Sequence, residues 1–216
     1  VAEVKTWAII PSNGRDYLQE CLSAVVPQVE GVVIVGNGEF QSEDPDFVLD
    51  TDSDMNISRW WNIGLDRAEQ IAKTQGATEW NALVLNDDVV VPQDFVSFLS
   101  DAMRKSTAAV AYPNQHDSHR AFWREPGPVN LFWRLTGYCF MLRGETGLRL
   151  DEELKWWYGD DDLDWRARTA GGSYLVPGRP VQHRAPNGTM HERPELHAQA
   201  ARDRETFVKK WGHAPW

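Results

Sequence analysis

Short apolar runs alternate with stretches whose apolar residues recur every three or four positions through the first hundred residues. Ala8-Ile9-Ile10 is continuous and stops at Pro11-Ser12-Asn13-Gly14, which predicts a buried strand running into a turn. Leu18, Cys21, Leu22 and Val25 follow at helical spacing until Pro27 ends them. Residues 31–38 predict a second buried strand with a glycine-rich exit. Phe47-Val48-Leu49 reads as a third strand, with Asp50, Asp52 and Asp54 clustered at its end. Trp61, Leu65, Ala68 and Ala72 predict the next helix, ending near Gly76. Ala82-Leu83-Val84-Leu85 is a fourth strand, and it stops at Asn86-Asp87-Asp88. Pro92 is placed in the first turn of a helix whose apolar face is Phe95, Phe98, Leu99, Ala102 and Met103.

This alternation predicts an α/β fold with a mostly parallel sheet flanked by helices. Such sheets bind ligands at the carboxyl ends of their strands. Here those ends carry Asn13, Asn37, the Asp50–Asp54 cluster and Asn86-Asp87-Asp88. The second half is less regular. Strands are predicted over Ala108–Tyr112, Leu135–Arg143, Tyr174–Val176 and Pro180–His183, with helices over Asp160–Ala170 and Pro194–Trp211. Residues 113–130 predict a long loop, expected to fold over a bound ligand. With no repeat and no linker-like stretch, the 216 residues read as a single domain spanning 1–193, in halves 1–105 and 106–193. Residues 194–216 form a C-terminal helix packed on it.

Composition narrows the partners. Twenty-two Lys and Arg against 32 Asp and Glu give a net charge of -10, which argues against sequence-independent binding of a nucleic-acid backbone. Two cysteines cannot build a disulfide framework or a four-thiolate zinc site. No apolar run approaches the roughly 18 residues needed to span a bilayer, and the first 30 residues lack a signal-peptide pattern. A cytoplasmic protein without a transmembrane segment is expected. Eleven tryptophans is an unusual share; their flat faces fill cores and also stack on sugars and bases.

Three clusters carry candidate chemistry. Asp87 and Asp88 at a strand end make a hard oxygen site suited to Mg2+ or Mn2+ completed by phosphate oxygens; equally, they could cap the following helix. Asp160, Asp161, Asp162 and Asp164 repel one another and suit either a charged first helical turn or a general base facing a cleft. Trp156, Trp157 and Tyr158 stand directly upstream as an aromatic platform. His183 ends a short apolar strand, a place more often structural than ligating. His116, His119, His191, His197 and His213 read as loop or helix-surface residues.

In order and spacing these segments resemble glycosyltransferase family 2, the nucleotide-sugar-dependent group with the GT-A fold. The matching segments are 8–14, 32–38, Asn62-Ile63-Gly64-Leu65 with Ala68, 83–89, 136–143, and Leu150-Asp151-Glu152 followed by Asp160-x-Asp162-Leu163-x-x-Arg166. Val181-Gln182-His183 and the closing 207–212 also fit, so the resemblance covers nearly the whole chain. It implies a GT-A (Rossmann-like) mixed, mostly parallel sheet, with 1–105 as the nucleotide-sugar half and 106–193 as the acceptor and catalytic half. It further implies a metal-dependent inverting transferase of hexosyltransferase type (EC 2.4), moving a sugar from a nucleoside diphosphate sugar, UDP-sugar favoured, to a hydroxyl acceptor. The sequence does not identify that acceptor; a glycan, a protein side chain and a modified nucleobase are all compatible. Asp88 and His183 are implied as ligands of Mn2+ or Mg2+, and Asp160 as the base, with Asp161 the choice if the register slips by one. Pro11, Asn13, Asn37, Asp54, Asn62, Asn86 and Asp87 are implied on the donor, and Gly137, Trp156 and Trp157 on the acceptor.

The chain departs from the family pattern at three places. Gly36 stands where the second strand usually ends in aspartate, Asn86 opens the DxD position, and Gly159-Asp160 replaces the usual acidic pair. Two other readings use the same residues: a catalytically silent nucleotide-sugar or glycan-binding module, and a nucleotidyltransferase. The second usually has a glycine- and arginine-rich first turn, which Pro11-Ser12-Asn13-Gly14-Arg15 matches poorly.

Overall fold

The apolar run at residues 7–10 becomes an inner strand of an eight-stranded sheet. The structure, a computed structural model, describes residues 4–37, 40–42, 46–186 and 188–216. Strand β1 (Lys5–Ser12) has β2 (Gly31–Asn37) and then β3 (Phe47–Asp50) on one side and β4 (Trp80–Leu85) on the other, all parallel. β5 (Val89–Val90) leaves this sheet, and β6 (Val110–Pro113), β7 (Ala121–Trp123), β8 (Cys139–Arg143) and β9 (Ser173–Val176) complete it in the order 3-2-1-4-8-6-9-7. β8 runs antiparallel to both its neighbours, β6 and β9 are parallel, and β7 is antiparallel to β9. β10 (Gln182–His183) pairs antiparallel with β5 in a separate two-stranded ribbon. The result is a single α/β domain with a mixed, largely parallel sheet.

Side chains that alternate along a strand feed two cores, one on each face. Trp7, Ile9, Val33, Val35, Ala82 and Val84 point to one side, where α2 (Ile57–Thr74) adds Trp60, Trp61, Leu65, Ala68 and Ala72. Ala8, Ile10, Leu83 and Leu85 point to the other, packed by α1 (Tyr17–Val25) and α3 (Phe95–Arg104). Ile9 and Leu83 are fully buried, and each such side chain contributes about 1.5–3 kcal/mol relative to exposure. Close contact between α2 and β1 requires Gly64, because a Cβ there would stand 2.3 Å from Ile9 Cγ2. α4 (Gly159–Ala170) covers the far half of the sheet. After the short α5 (Gly188–Glu192), α6 (Leu196–Trp211) packs Phe207 against Leu154 and Trp165.

Several boundaries differ from the sequence reading. α3 begins at Phe95, behind Asp94 in a left-handed conformation (φ 68°), so Pro92 lies outside it and neither Asp87 nor Asp88 caps it. The strand expected over Leu135–Arg143 starts at Cys139, after a turn in which the Asn86 N–H donates to the Tyr138 carbonyl. Residues 113–130 hold β7, and Pro180 lies outside β10. Gly38, expected at the exit of the second strand, lies outside the described residues. Among the described residues no helix is long and apolar enough to cross a membrane.

Candidate active site

A cavity of about 440 Å³ opens at the carboxyl ends of β1, β2 and β4. Its first wall is Pro11, Ser12, Asn13, Arg15 and Asn37; its floor is Asn86, Asp87 and Asp88. Met55, Ile57, Trp60 and Trp61 at the start of α2 face Trp156, Trp157 and Met190. Arg134, Gly137, Tyr138, Asp160 and His183 complete the lining.

The floor is built from β4 outward. The Cys21 thiol donates to the Asn86 carbonyl at 3.6 Å, and burial with the nearby Asp87 and Asp88 charges pushes that thiol up to about 12. The thiol is therefore a structural donor. The Ser12 hydroxyl donates to Asp87 Oδ2 at 2.7 Å, yet burial still holds the Asp87 carboxyl above its ordinary range. Asp88 is 5% exposed. The β5–β10 ribbon carries His183 opposite Val89, and the Arg184 N–H donates to the Asp88 carbonyl at 2.9 Å. This brings His183 Nε2 to 3.3 Å from Asp88 Oδ1, with the Tyr138 ring against the imidazole at 4.4 Å. Among the described residues no hydrogen bond reaches that buried oxygen, whose one close polar neighbour is the imidazole. An acceptor-only oxygen in that condition costs free energy unless a cation sits beside it. Asp88 and His183 thus fit a divalent ion that draws its other ligands from phosphate and water. Among the described residues no group of three or more His, Cys, Asp and Glu side chains forms a cage complete in itself.

At the other end, Tyr158 takes a left-handed conformation (φ 67°), uncommon for a bulky residue, and turns the chain into α4. Its ring stacks on Trp216 at 5.3 Å. The four carboxylates that follow separate by role. Asp162 receives Arg166, Lys210 and the Trp211 indole N–H. Asp164 is enclosed by Arg168 and Ser173. Asp161 is buried 2.9 Å from Arg134 Nη1; burial and the Asp160 charge push its carboxyl well above the usual range, against the pull of Arg134. Asp160 alone among them lines the cavity, where its Oδ2 accepts the Gly137 N–H at 2.8 Å and lies 3.7 Å from Arg134 Nη1. Burial opposes the Arg134 charge, but Asp160 and Asp161 outweigh it and raise the guanidinium further. Gly137 is needed there, since a Cβ would stand 2.6 Å from Trp61 Cη2.

Trp156 and Trp157 line the cavity, Trp156 edge-on to Trp60 at 6.2 Å and Trp157 with its indole N–H on Met190 Sδ. They are oriented from below. Fully buried Asp203 of α6 accepts the backbone N–H groups of Lys155, Trp156 and Trp157.

Pro11, Asn13, Asn37, Asn86, Asp87, Asp88, Gly137, Trp156, Trp157, Asp160 and His183 therefore line one cavity. Three expected residues do not reach its wall. Asp54 pairs with Lys155, within a cluster where Arg59 binds Asp50 and Asp52. Asn62 is a bracket in the core, holding both backbone groups of Leu150 and the Glu152 carboxylate. Asp161 sits behind Arg134. No residue of 113–130 lines the cavity, so that loop is not placed over it. Arg15, Arg134, Trp60, Trp61 and Asp203 were not singled out from the sequence. The Asn-Gly-Arg turn after β1 and the Arg134-x-Thr136-Gly137 spacing were the available signals for the two arginines.

No family model matches the chain, and no curated protein matches it in sequence. Solved structures do match. S. aureus TarS 1–349 superposes with a TM-score of 0.59 at 11% identity, over 93% of this chain and 68% of that one. GalNAc-T7, solved with UDP, GalNAc and Mn2+, gives a TM-score of 0.59 at 13% identity over 83% of this chain. The match spans 44% of the GalNAc-T7 chain. A197 from STIV gives 0.50 at 15% identity, over 83% of this chain and 85% of that one. The chain shares the GT-A-type, Rossmann-like fold of these structures, at identities that establish the fold alone.

Proposed function

We propose that the protein is a metal-dependent inverting glycosyltransferase of the family 2 kind, moving a sugar from a nucleoside diphosphate sugar to an acceptor hydroxyl. The observation that carries this reading is the pairing in one cavity of a buried Asp88 oxygen, without a hydrogen bond and 3.3 Å from His183 Nε2, with a cavity-facing carboxylate, Asp160. UDP is the favoured nucleotide, since UDP is bound in the structures of TarS 1–349 and GalNAc-T7 that share the fold.

Asp88 and His183 would hold Mn2+ or Mg2+, which would supply Lewis-acid stabilisation of the departing diphosphate. Asn13 and Asn37, whose amides both donate and accept, face the nucleoside end, with Asn86 and Asp87 beneath the phosphates. Trp156 and Trp157 offer the aromatic faces against which an acceptor sugar ring packs. Asp160 accepts the acceptor hydroxyl proton as that oxygen forms its bond to the anomeric carbon and the bond to the diphosphate oxygen breaks. The Gly137 N–H and Arg134 fix the position of the Asp160 carboxylate in the cavity wall. Attack from the face opposite the diphosphate inverts the anomeric centre without a covalent intermediate on the protein.

Calorimetric titration of UDP with and without Mn2+ tests the metal part. The parent protein is expected to bind UDP more tightly with Mn2+, and Asp88→Ala to lose that gain. UDP affinity in Mn2+ that is unchanged in the variant would remove Asp88 from the metal site.

A further inference from the structure

Two arginines stand in the cavity wall, and they are not equivalent. Arg134 is committed to Asp160 and Asp161 and lies over the Trp216 ring at 4.4 Å. Arg15 is at the opposite end, on the turn that leaves β1 beside Ser12 and Asn13. Its one ion-pair partner among the described residues is Glu192, at 2.5 Å from Nη2, and Glu192 is 65% exposed and outside the cavity wall. A pair with one partner this exposed is held only weakly.

The floor beneath Arg15 carries the negative charge of Asp87 and Asp88, and a diphosphate brings more to the same place. A divalent ion answers part of that charge. A guanidinium answers it better than an ammonium, because its planar fork matches two phosphate oxygens at once.

We propose that Arg15 is a diphosphate-binding residue for which Glu192 is a competing carboxylate: the entering diphosphate takes the guanidinium from Glu192. This rests on the donor class proposed above and adds a second cation to the donor site. It also makes Glu192 a determinant of donor affinity although it touches no ligand. Free phosphate anions compete for Arg15 in the same way, so affinity for the diphosphate is separable from affinity for the nucleoside.

Calorimetry in Mn2+ with UDP, inorganic pyrophosphate and uridine as separate probes tests this. Arg15→Gln is expected to weaken UDP and pyrophosphate about tenfold, the size of one lost charge-assisted contact, and to leave uridine unchanged. Arg15→Lys is expected to recover part of the loss. Glu192→Gln is expected to tighten UDP by about two- to fivefold in the parent, the scale of an exposed ion pair, and to change nothing in the Arg15→Gln background. Thermal melting of each variant confirms that it is folded. UDP binding in Arg15→Gln equal to the parent overturns the proposal. Equal tightening by Glu192→Gln with and without Arg15 also overturns it, because Glu192 would then act through its field alone. A parent protein that binds neither UDP nor pyrophosphate overturns the donor class as well, which separates the two failures.

Discussion

Replacing Asp160 by asparagine keeps the shape of the side chain and removes its capacity to take a proton. The carbonyl of the new amide can still accept the Gly137 N–H now held at 2.8 Å, and Arg134 keeps Asp161 at 2.9 Å. What folding loses is the longer 3.7 Å attraction between Arg134 and Asp160. That loss is on the order of 1 kcal/mol, or a fall of roughly 2–4 °C in melting temperature for a chain of this size. Turnover loses far more. A positioned general base is worth about 10²–10⁴ in rate, which is about 3–5 kcal/mol of barrier at 1.36 kcal/mol per tenfold. A base acts in the transition state, so the donor dissociation constant should stay within about twofold of the parent. The assay is steady-state sugar transfer with saturating donor and acceptor, alongside calorimetric UDP binding in Mn2+. Asp161→Asn serves as the control, since Asp161 does not reach the cavity wall and acts on the site through Arg134 and its own charge. Parent-like turnover by Asp160→Asn, or a larger loss in Asp161→Asn, would refute the assignment and leave Asp160 as a charged helix start.

Two further outcomes follow from groups beneath the cavity. Burial raises the Asp161 carboxyl in the folded chain, so the unfolded chain releases its proton first and stability falls as pH climbs from about 4 through the folded-state value. Asp161→Asn should flatten that slope in urea denaturation across this range, without abolishing it, because Asp87 and Asp164 are raised by burial as well; an unchanged slope would contradict this. Asp203→Ala leaves the backbone N–H groups of Lys155, Trp156 and Trp157 without their acceptor and should cost about 3–4 kcal/mol. A loss under about 1 kcal/mol in chemical denaturation would show that water replaces the carboxylate.

Wherever a segment's own pattern decides its structure, the sequence was a good guide. Residues 7–10, 32–35 and 82–85 are apolar on both faces because they lie between two layers of helices, and their polar ends converge on the cavity. β7 was hidden in an apparent loop because three residues acquire strand structure only by pairing with β9. The α3 start was misplaced because Asp94, not Pro92, supplies the turn. Asp160 and Asp161 could not be separated from the run of carboxylates. Which one faces the cavity depends on the left-handed Tyr158 and on where Arg134 enters. Asp203 showed only a helical neighbour, Gln199, and the backbone groups it accepts in the site lie 46 to 48 residues away. Asn62 and Asp54 fell at plausible positions but are held by Leu150, Glu152 and Lys155, contacts set by the tertiary fold.

The central claim is that Asp88 with His183 and Asp160 serve a single reaction, the transfer of a sugar from a nucleoside diphosphate. A screen of nucleoside diphosphate sugars, read as release of the free diphosphate in Mn2+, tests it before any acceptor is known. One UDP-sugar is expected to be turned over, with activity lost on chelation of the metal and restored by Mn2+ or Mg2+, and lost in Asp88→Ala. Folded protein that releases no nucleoside diphosphate from any sugar donor, with either metal and with water or a glycan as acceptor, would contradict the account.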